Sequence, residues 1–210
     1  MPVSTDFSSP LAFVRHGQTD WNKAGRLQGQ VDIPLNETGR EQAREAAVLL
    51  EGGGWDAVVA SPLGRALETA TILARHLGLP APETDEGLIE RGYGELEGAV
   101  DAELPTETRR VLHPGHDGDP GPIEAVGYRL GLLPGVEHSR ETGERGLAAV
   151  RRIVAAHPGE RVIVVAHGTI IRLTLDALDD WQRFHSSPRN AEIIELDAAQ
   201  WTSASGVLRA

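Results

Sequence analysis

The chain has 210 residues, long enough for one well-buried core and short for two, so a single domain spanning residues 1–210 is the expectation. Hydrophobic residues make up 40% and charged residues 24%, and the absence of cysteine excludes a disulfide framework, a thiolate nucleophile and a thiolate zinc site. A formal net charge of −11 repels nucleic acid and anionic membrane surfaces at long range, so an anionic ligand has to be held by a local basic pocket.

Met1 to Pro10 carry neither a basic n-region nor an apolar h-region, and no apolar run approaches membrane-spanning length, which points to a cytoplasmic protein without a membrane partner. Leu11 to Val14 reads as a short buried strand that stops at Arg15-His16-Gly17. A polar loop over 17–34 follows, and Asn36 then caps a helix reaching about Glu51, with Ala43, Ala46, Ala47 and Leu50 at helical spacing and Gly52-Gly53-Gly54 as its stop. Asp56 to Ala60 is the second strand. Ser61 as N-cap and Pro62 in the first turn open the next helix, whose Leu67, Thr71, Ala74 and Leu77 mark one face before Gly78 and Pro80 end it.

Thr84 to Glu90 is expected to hold a short strand, followed by a glycine-rich turn over 92–98. Pro105, Pro114, Pro120, Pro122 and Pro134, interleaved with glycines, make the following stretch a surface excursion of about 99–139 with one short helix at Thr106 to Val111. Thr142 to His157 is an amphipathic helix through Leu147, Val150, Ile153 and Val154. Arg161 to Ala166 is a continuous apolar strand that again ends in His-Gly, at His167-Gly168, with a helix over Ile170 to Leu178 behind it. Ala191 to Leu196 and Ser203 to Leu208 read as two edge strands, and the apolar edge at Ile193-Ile194 leaves pairing into a homodimer open. Strands alternating with helices at this spacing predict a mainly parallel sheet covered on both faces.

In a parallel sheet the two His-Gly strand ends lie along one edge, where ligands of open α/β folds bind. Arg15 stands beside the first histidine, and Arg65 lies one turn into the helix after the second strand. Helix N-termini behind Pro62 and Gly168 add N–H donors and partial positive charge. Two arginines, two histidines and two helix ends suit a tetrahedral dianion such as a phosphoryl group, whose oxygens match the guanidinium fork. A histidine there acts as nucleophile if one nitrogen is unprotonated and the other donates to a backbone carbonyl. With two arginines supplying charge, phosphoryl transfer requires no metal and no cofactor, only a carboxylic acid to protonate the leaving oxygen.

Arg15-His16-Gly17 with Thr19 and Asn22, Gly25-Arg26-Leu27-Gln28-Gly29, Asp32 to Asn36, Ser61-Pro62, Arg65-Ala66 with Thr69-Ala70, Glu90-Arg91-Gly92-Tyr93-Gly94 with Glu97-Gly98, and Ala166-His167-Gly168 together resemble the histidine phosphatase superfamily, the phosphoglycerate-mutase-like group. The resemblance runs in family order from Phe13 to Arg172. It implies a three-layer α/β/α sandwich around a mostly parallel sheet, with the excursion after the acid forming an irregular cap. By the same resemblance His16 is the phosphorylated nucleophile, Arg15, Arg65 and His167 bind the phosphoryl group, and Glu90 is the general acid. Asn22 contributes a polar contact, while Arg26 and Gln28 either contact substrate or shape the loop. Gly168 offers the N-terminus of its helix.

Three further features are open in sequence. His113 to Asp119 has metal-ligand residue types, but its prolines and glycines give ligands no rigid scaffold, and a polar loop is the preferred reading. Glu137 resembles the family's Gly-Gly-Glu-Ser segment with Val136 and His138 replacing Gly and Ser. Arg109-Arg110 either reaches a second anionic group or is a solvated pair. Both phosphatases and cofactor-dependent phosphoglycerate mutases use the same phosphohistidine. The segment Ala99 to Glu103 is acidic, whereas a mutase that retains its product needs extra basic residues, which favours a phosphatase acting on a small phosphomonoester. A non-catalytic phospho-ligand-binding protein on the same fold is the rival from another class.

Overall fold

A computed structural model describes residues 11–113, 133–178 and 186–196. Its elements in chain order are β1 (Leu11–Arg15), α1 (Asp20–Lys23), α2 (Glu37–Leu49), β2 (Ala57–Ala60), α3 (Gly64–Leu77), β3 (Glu83–Thr84), α4 (Thr106–Leu112), α5 (Ser139–Ala156), β4 (Val162–Ala166), α6 (Gly168–Leu178) and β5 (Ile193–Glu195). The sheet order is β3-β2-β4-β1-β5. All neighbouring pairs are parallel except β5, which runs antiparallel to β1.

Side chains alternate across the sheet, and each face has its own core. Ala12, Val14, Val58, Ala60, Ile163 and Val165 pack with Ala46, Ala47 and Leu50 near α2 and with Ala66, Ala70, Leu73 and Ala74 of α3. Leu11, Phe13, Val59, Val162, Val164 and Ala166 pack on the other face with Ala149, Val150 and Ile153 of α5 and Ile170, Ile171 and Leu175 of α6. Helices therefore cover both faces of a mostly parallel sheet, the three-layer α/β/α arrangement. A third cluster of Leu27, Tyr93 and Leu112, with Leu96, Leu104, Leu133 and Val136 against it, ties α4 and the start of the excursion to the loops above the sheet. Among the described residues no helix is long and apolar enough to cross a membrane.

Several expectations shift. Asn36 caps α2, accepting from Gly39 N at 2.9 Å. The N-cap of α3, however, is Leu63; Ser61 Oγ accepts from Leu63 N at 3.3 Å and lies 2.7 Å from His167 Nε2 instead of capping the helix. The strand expected over Thr84 to Glu90 reduces to Glu83–Thr84, because Asp85 accepts from Gly87 N at 2.7 Å and bends the chain into a 3-10 turn over Glu86–Leu88. The helices α5 and α6 begin earlier than their apolar periodicity, at Ser139 and Gly168. The edge strand at Ile193 exists, whereas Ser203 to Leu208 lies outside the described residues, as does the excursion over 114–132.

Candidate active site

The register of β1 on β4 runs from Leu11 opposite Val162 to Arg15 opposite Ala166, which makes His16 and His167 the next residues on adjacent strands. His16 N donates to Ala166 O at 3.0 Å, and the two imidazole centroids lie 5.1 Å apart at 60°. Both rings are buried.

His16 Nδ1 is 2.7 Å from Gly17 O. A carbonyl only accepts, so Nδ1 carries the proton. Burial first, and then the Arg15 and Arg65 charges, hold the imidazole well below the ordinary histidine value against the opposing pull of the Gly17 carbonyl. The ring is therefore neutral with Nε2 unprotonated, the state a nucleophile needs. His167 is wired differently. Its Nδ1 accepts from Arg65 Nε at 3.2 Å, which leaves the proton on Nε2, 2.7 Å from Ser61 Oγ. Burial, then Arg65, His16 and Arg15, push it well down as well.

Arg65 has no exposed side-chain surface, and Nη1 and Nη2 donate to Val31 O and Gly29 O, both at 2.8 Å. The 29–31 loop is itself held by Glu97, whose carboxylate accepts from Gln30 N, Val31 N and Tyr93 N at 3.0 to 3.2 Å. Arg15 donates through Nη1 to Pro188 O at 2.7 Å, while its buried Nε has no partner. Burial lowers both guanidinium groups from their ordinary value, and Glu90 pulls both back up. Gly168 packs closely against Arg15: a Cβ there would stand 3.3 Å from Arg15 Cζ, a tight contact that the guanidinium would have to yield to.

Glu90 reaches the same edge from the loop after the 3-10 turn. Oε1 accepts from Arg91 N (2.8 Å) and Ile170 N (2.9 Å), and Oε2 accepts from Thr169 N (3.1 Å) at the start of α6. These bonds occupy three of about four lone-pair sites on a carboxylate, leaving one on Oε2.

The remaining sequence candidates divide. Gln28 is buried and accepts from Thr19 Oγ1 at 2.8 Å. Asn22 completes a capping box with Thr19 on α1, and its Oδ1 also accepts from Asn190 Nδ2 at 3.2 Å. Arg26 donates to Gly98 O, the loop-shaping alternative. His113 pairs with Asp101 at 2.7 Å, and no cluster able to hold a metal occurs among the described residues. Sequence reasoning missed Asn190, which donates to His16 O at 3.0 Å, and the neighbouring Ala191, held at φ 58° with its N–H on Arg15 O. It also missed Thr69 as the acceptor of Gly17 N at 3.1 Å, although Thr69 is part of the helix motif. The one signal for the 188–191 segment is Pro188 with Asn190, a turn composition that carries no hint of its partner.

The family model of the histidine phosphatase superfamily (branch 1) matches residues 11–205. The chain belongs to this superfamily. Relatives include the uncharacterized phosphatase PhoE of Bacillus subtilis, 36% identical over 79% of this chain and 75% of that protein. A 2,3-bisphosphoglycerate-dependent phosphoglycerate mutase of Gloeobacter violaceus is 33% identical over 89% and 81% respectively. Among solved structures, a mycobacterial glucosyl-3-phosphoglycerate phosphatase superposes with a TM-score of 0.68 at 29% identity, covering 89% of this chain and 92% of that one. This member of the histidine phosphatase superfamily is a phosphatase enzyme with the family's α/β fold.

Proposed function

We propose that this histidine phosphatase hydrolyses a small phosphomonoester, without a metal, through a phosphohistidine on His16 Nε2. The observation that carries the reading is the Nδ1 contact to Gly17 O, which leaves Nε2 as the free nitrogen at an edge holding Arg15, Arg65 and His167. Nε2 attacks phosphorus and the ester P–O bond breaks, with Arg15 and Arg65 balancing charge on the non-bridging oxygens. The leaving oxygen takes a proton from the remaining site on Glu90 Oε2. Water then attacks the phosphohistidine, Glu90 takes back a proton, and inorganic phosphate leaves with His16 restored.

Hydrolysis is favoured over mutase chemistry by the 3-10 turn Asp101–Glu103 that follows Gly98, acidic where a mutase needs cations to retain its product. The test is turnover of p-nitrophenyl phosphate with EDTA present. Phosphate release together with acid-labile 32P on the protein, both lost in His16→Ala, is the expected result. Phosphate binding without turnover overturns the enzyme mechanism, and isomerisation of phosphoglycerate faster than phosphate release overturns hydrolysis as its outcome.

A further inference from the structure

Unlike Arg15, His16, Arg65 and His167, Glu90 is carried on neither a strand end nor a long helix, and its carboxylate contacts do not explain how its backbone is kept in place. The holding groups come from α5 and from the turn before it. Arg145 on α5 commits all five of its N–H groups. Nη1 donates to Gly87 O (2.9 Å) and Ile89 O (2.8 Å), Nη2 approaches Glu90 O (3.5 Å), and Nε and Nη2 form a bidentate pair with Glu137 at 2.9 and 2.8 Å. Glu137 grips the other side of Glu90. Its Oε2 accepts from Gly92 N at 3.2 Å, its N–H donates to Gly92 O at 2.9 Å, and its carbonyl accepts from Arg91 Nε at 2.9 Å.

The helix reaches the loop because it lies close against α6. A Cβ on Gly146 falls 1.9 Å from Thr174 Oγ1, so only glycine permits this approach. At helical spacing from Arg145, Ala149 lies 2.8 Å from where a Cβ on Gly87 would stand, and Arg152 pairs with Asp85 at 2.7 Å. One face of α5 thus lines the 85–92 segment. The Arg145 and Glu137 side chains are 24% and 21% exposed, and neither touches a carboxylate oxygen of Glu90.

We infer that Arg145 and Glu137 are positioning residues: a charged clamp that holds the backbone on both sides of Glu90 and so aims its carboxyl group at the leaving oxygen. The inference rests on Glu90 being the general acid. It also assigns a task to Glu137 within the protein, since Arg145 and Gly92 N donate three hydrogen bonds to its two oxygens.

A clamp that works through proton donation has a signature that general damage lacks. An alkyl phosphate needs its leaving oxygen protonated, whereas 2,4-dinitrophenyl phosphate expels a stable phenolate unaided, and kcat/KM reports steps only through phosphohistidine formation. Arg145→Ala is expected to lower kcat/KM for glycerol phosphate by about 10- to 100-fold and for the dinitrophenyl ester by no more than about threefold. Glu137→Gln and Arg145→Lys shift in the same direction by less, and they carry the test if Arg145→Ala is not folded by circular dichroism. The double variant Arg145→Ala, Glu90→Gln loses no more on glycerol phosphate than Glu90→Gln alone. Equal losses on the two esters, or additive losses in the double variant, overturn the clamp. Glu90→Gln without any leaving-group selectivity overturns the acid role itself, whatever Arg145 does.

Discussion

His16 and His167 occupy equivalent places: each follows the last residue of a core strand, each precedes a glycine, and the two strands are hydrogen-bonded neighbours. Their rings are nevertheless wired in opposite senses. His16 donates from Nδ1 to a carbonyl one residue away and keeps Nε2 free, while His167 accepts at Nδ1 from Arg65 and gives Nε2–H to Ser61, partners more than one hundred residues distant in the chain. The same dipeptide on the same kind of strand end therefore keeps Nε2 free in one place, as the proposed nucleophile requires, and has both ring nitrogens engaged in the other. What differs is the partner of each Nδ1, a backbone carbonyl for His16 and the Arg65 guanidinium for His167.

The largest consequence is for His16. Replacing it with Ala removes the imidazole of the pair whose Nε2 is free, and kcat for p-nitrophenyl phosphate is expected to fall on the order of 10⁴-fold or more. His167→Ala leaves the proposed nucleophile in place but removes a polar group 5.1 Å from it and a partner of Arg65. The expected loss in kcat/KM is roughly 10² to 10³, with phosphorylated protein still detectable on acid-quenched gels. If His167→Ala also abolishes the phosphoprotein and His16→Ala does not, the two roles are reversed. Ser61→Ala frees His167 Nε2–H from its acceptor. A drop in kcat/KM of roughly tenfold is expected from a loosened ring, together with about 1 to 3 kcal/mol of stability lost because the buried donor is left unpaired, measured by urea unfolding.

The smallest effect is one in which the histidines agree. Both are held neutral by burial and by the arginines, below their unfolded value. As pH falls through the ordinary histidine range the unfolded chain binds protons that the folded protein refuses, so stability decreases toward acid and is recovered above that range. Each ring contributes a slope of at most about 1.4 kcal/mol per pH unit. Urea midpoints measured from about pH 7 to pH 5 should fall for the wild type, and fall less steeply for the double variant His16→Asn, His167→Asn. Parallel profiles would show that the rings are not buried as neutral groups.

Much of the molecule is legible without its tertiary structure, for a definable reason. Period-2 and period-3.6 apolar patterns report which face of an element is buried, and burial dominates the free energy of a core, so β1, β2, β4, α2 and the main span of α3 lie where the pattern puts them. The His-Gly strand ends follow from the same pattern, because a polar residue after a buried apolar run marks where the strand leaves the core. Local turn chemistry was harder: Asp85 and Gly87 bend a segment that otherwise scans as a strand, and Ser61 Oγ accepts from His167 Nε2–H and Leu63 N rather than capping α3. The tautomer of His167, the seating of Asn190 on His16 O and the pairing of Glu137 with Arg145 beside Glu90 were set only by tertiary structure. These depend on hydrogen bonds between groups that no element shares, and hydrogen bonds are directional contacts of about 3 Å that no periodicity encodes. The sequence by itself determined which residues stand at the edge of the sheet, because hydrophobic burial is short-patterned and additive. Only the folded chain decided that both nitrogens of His167 are engaged while Nε2 of His16 stays free, because that depends on where Arg65 and Ser61 arrive in space.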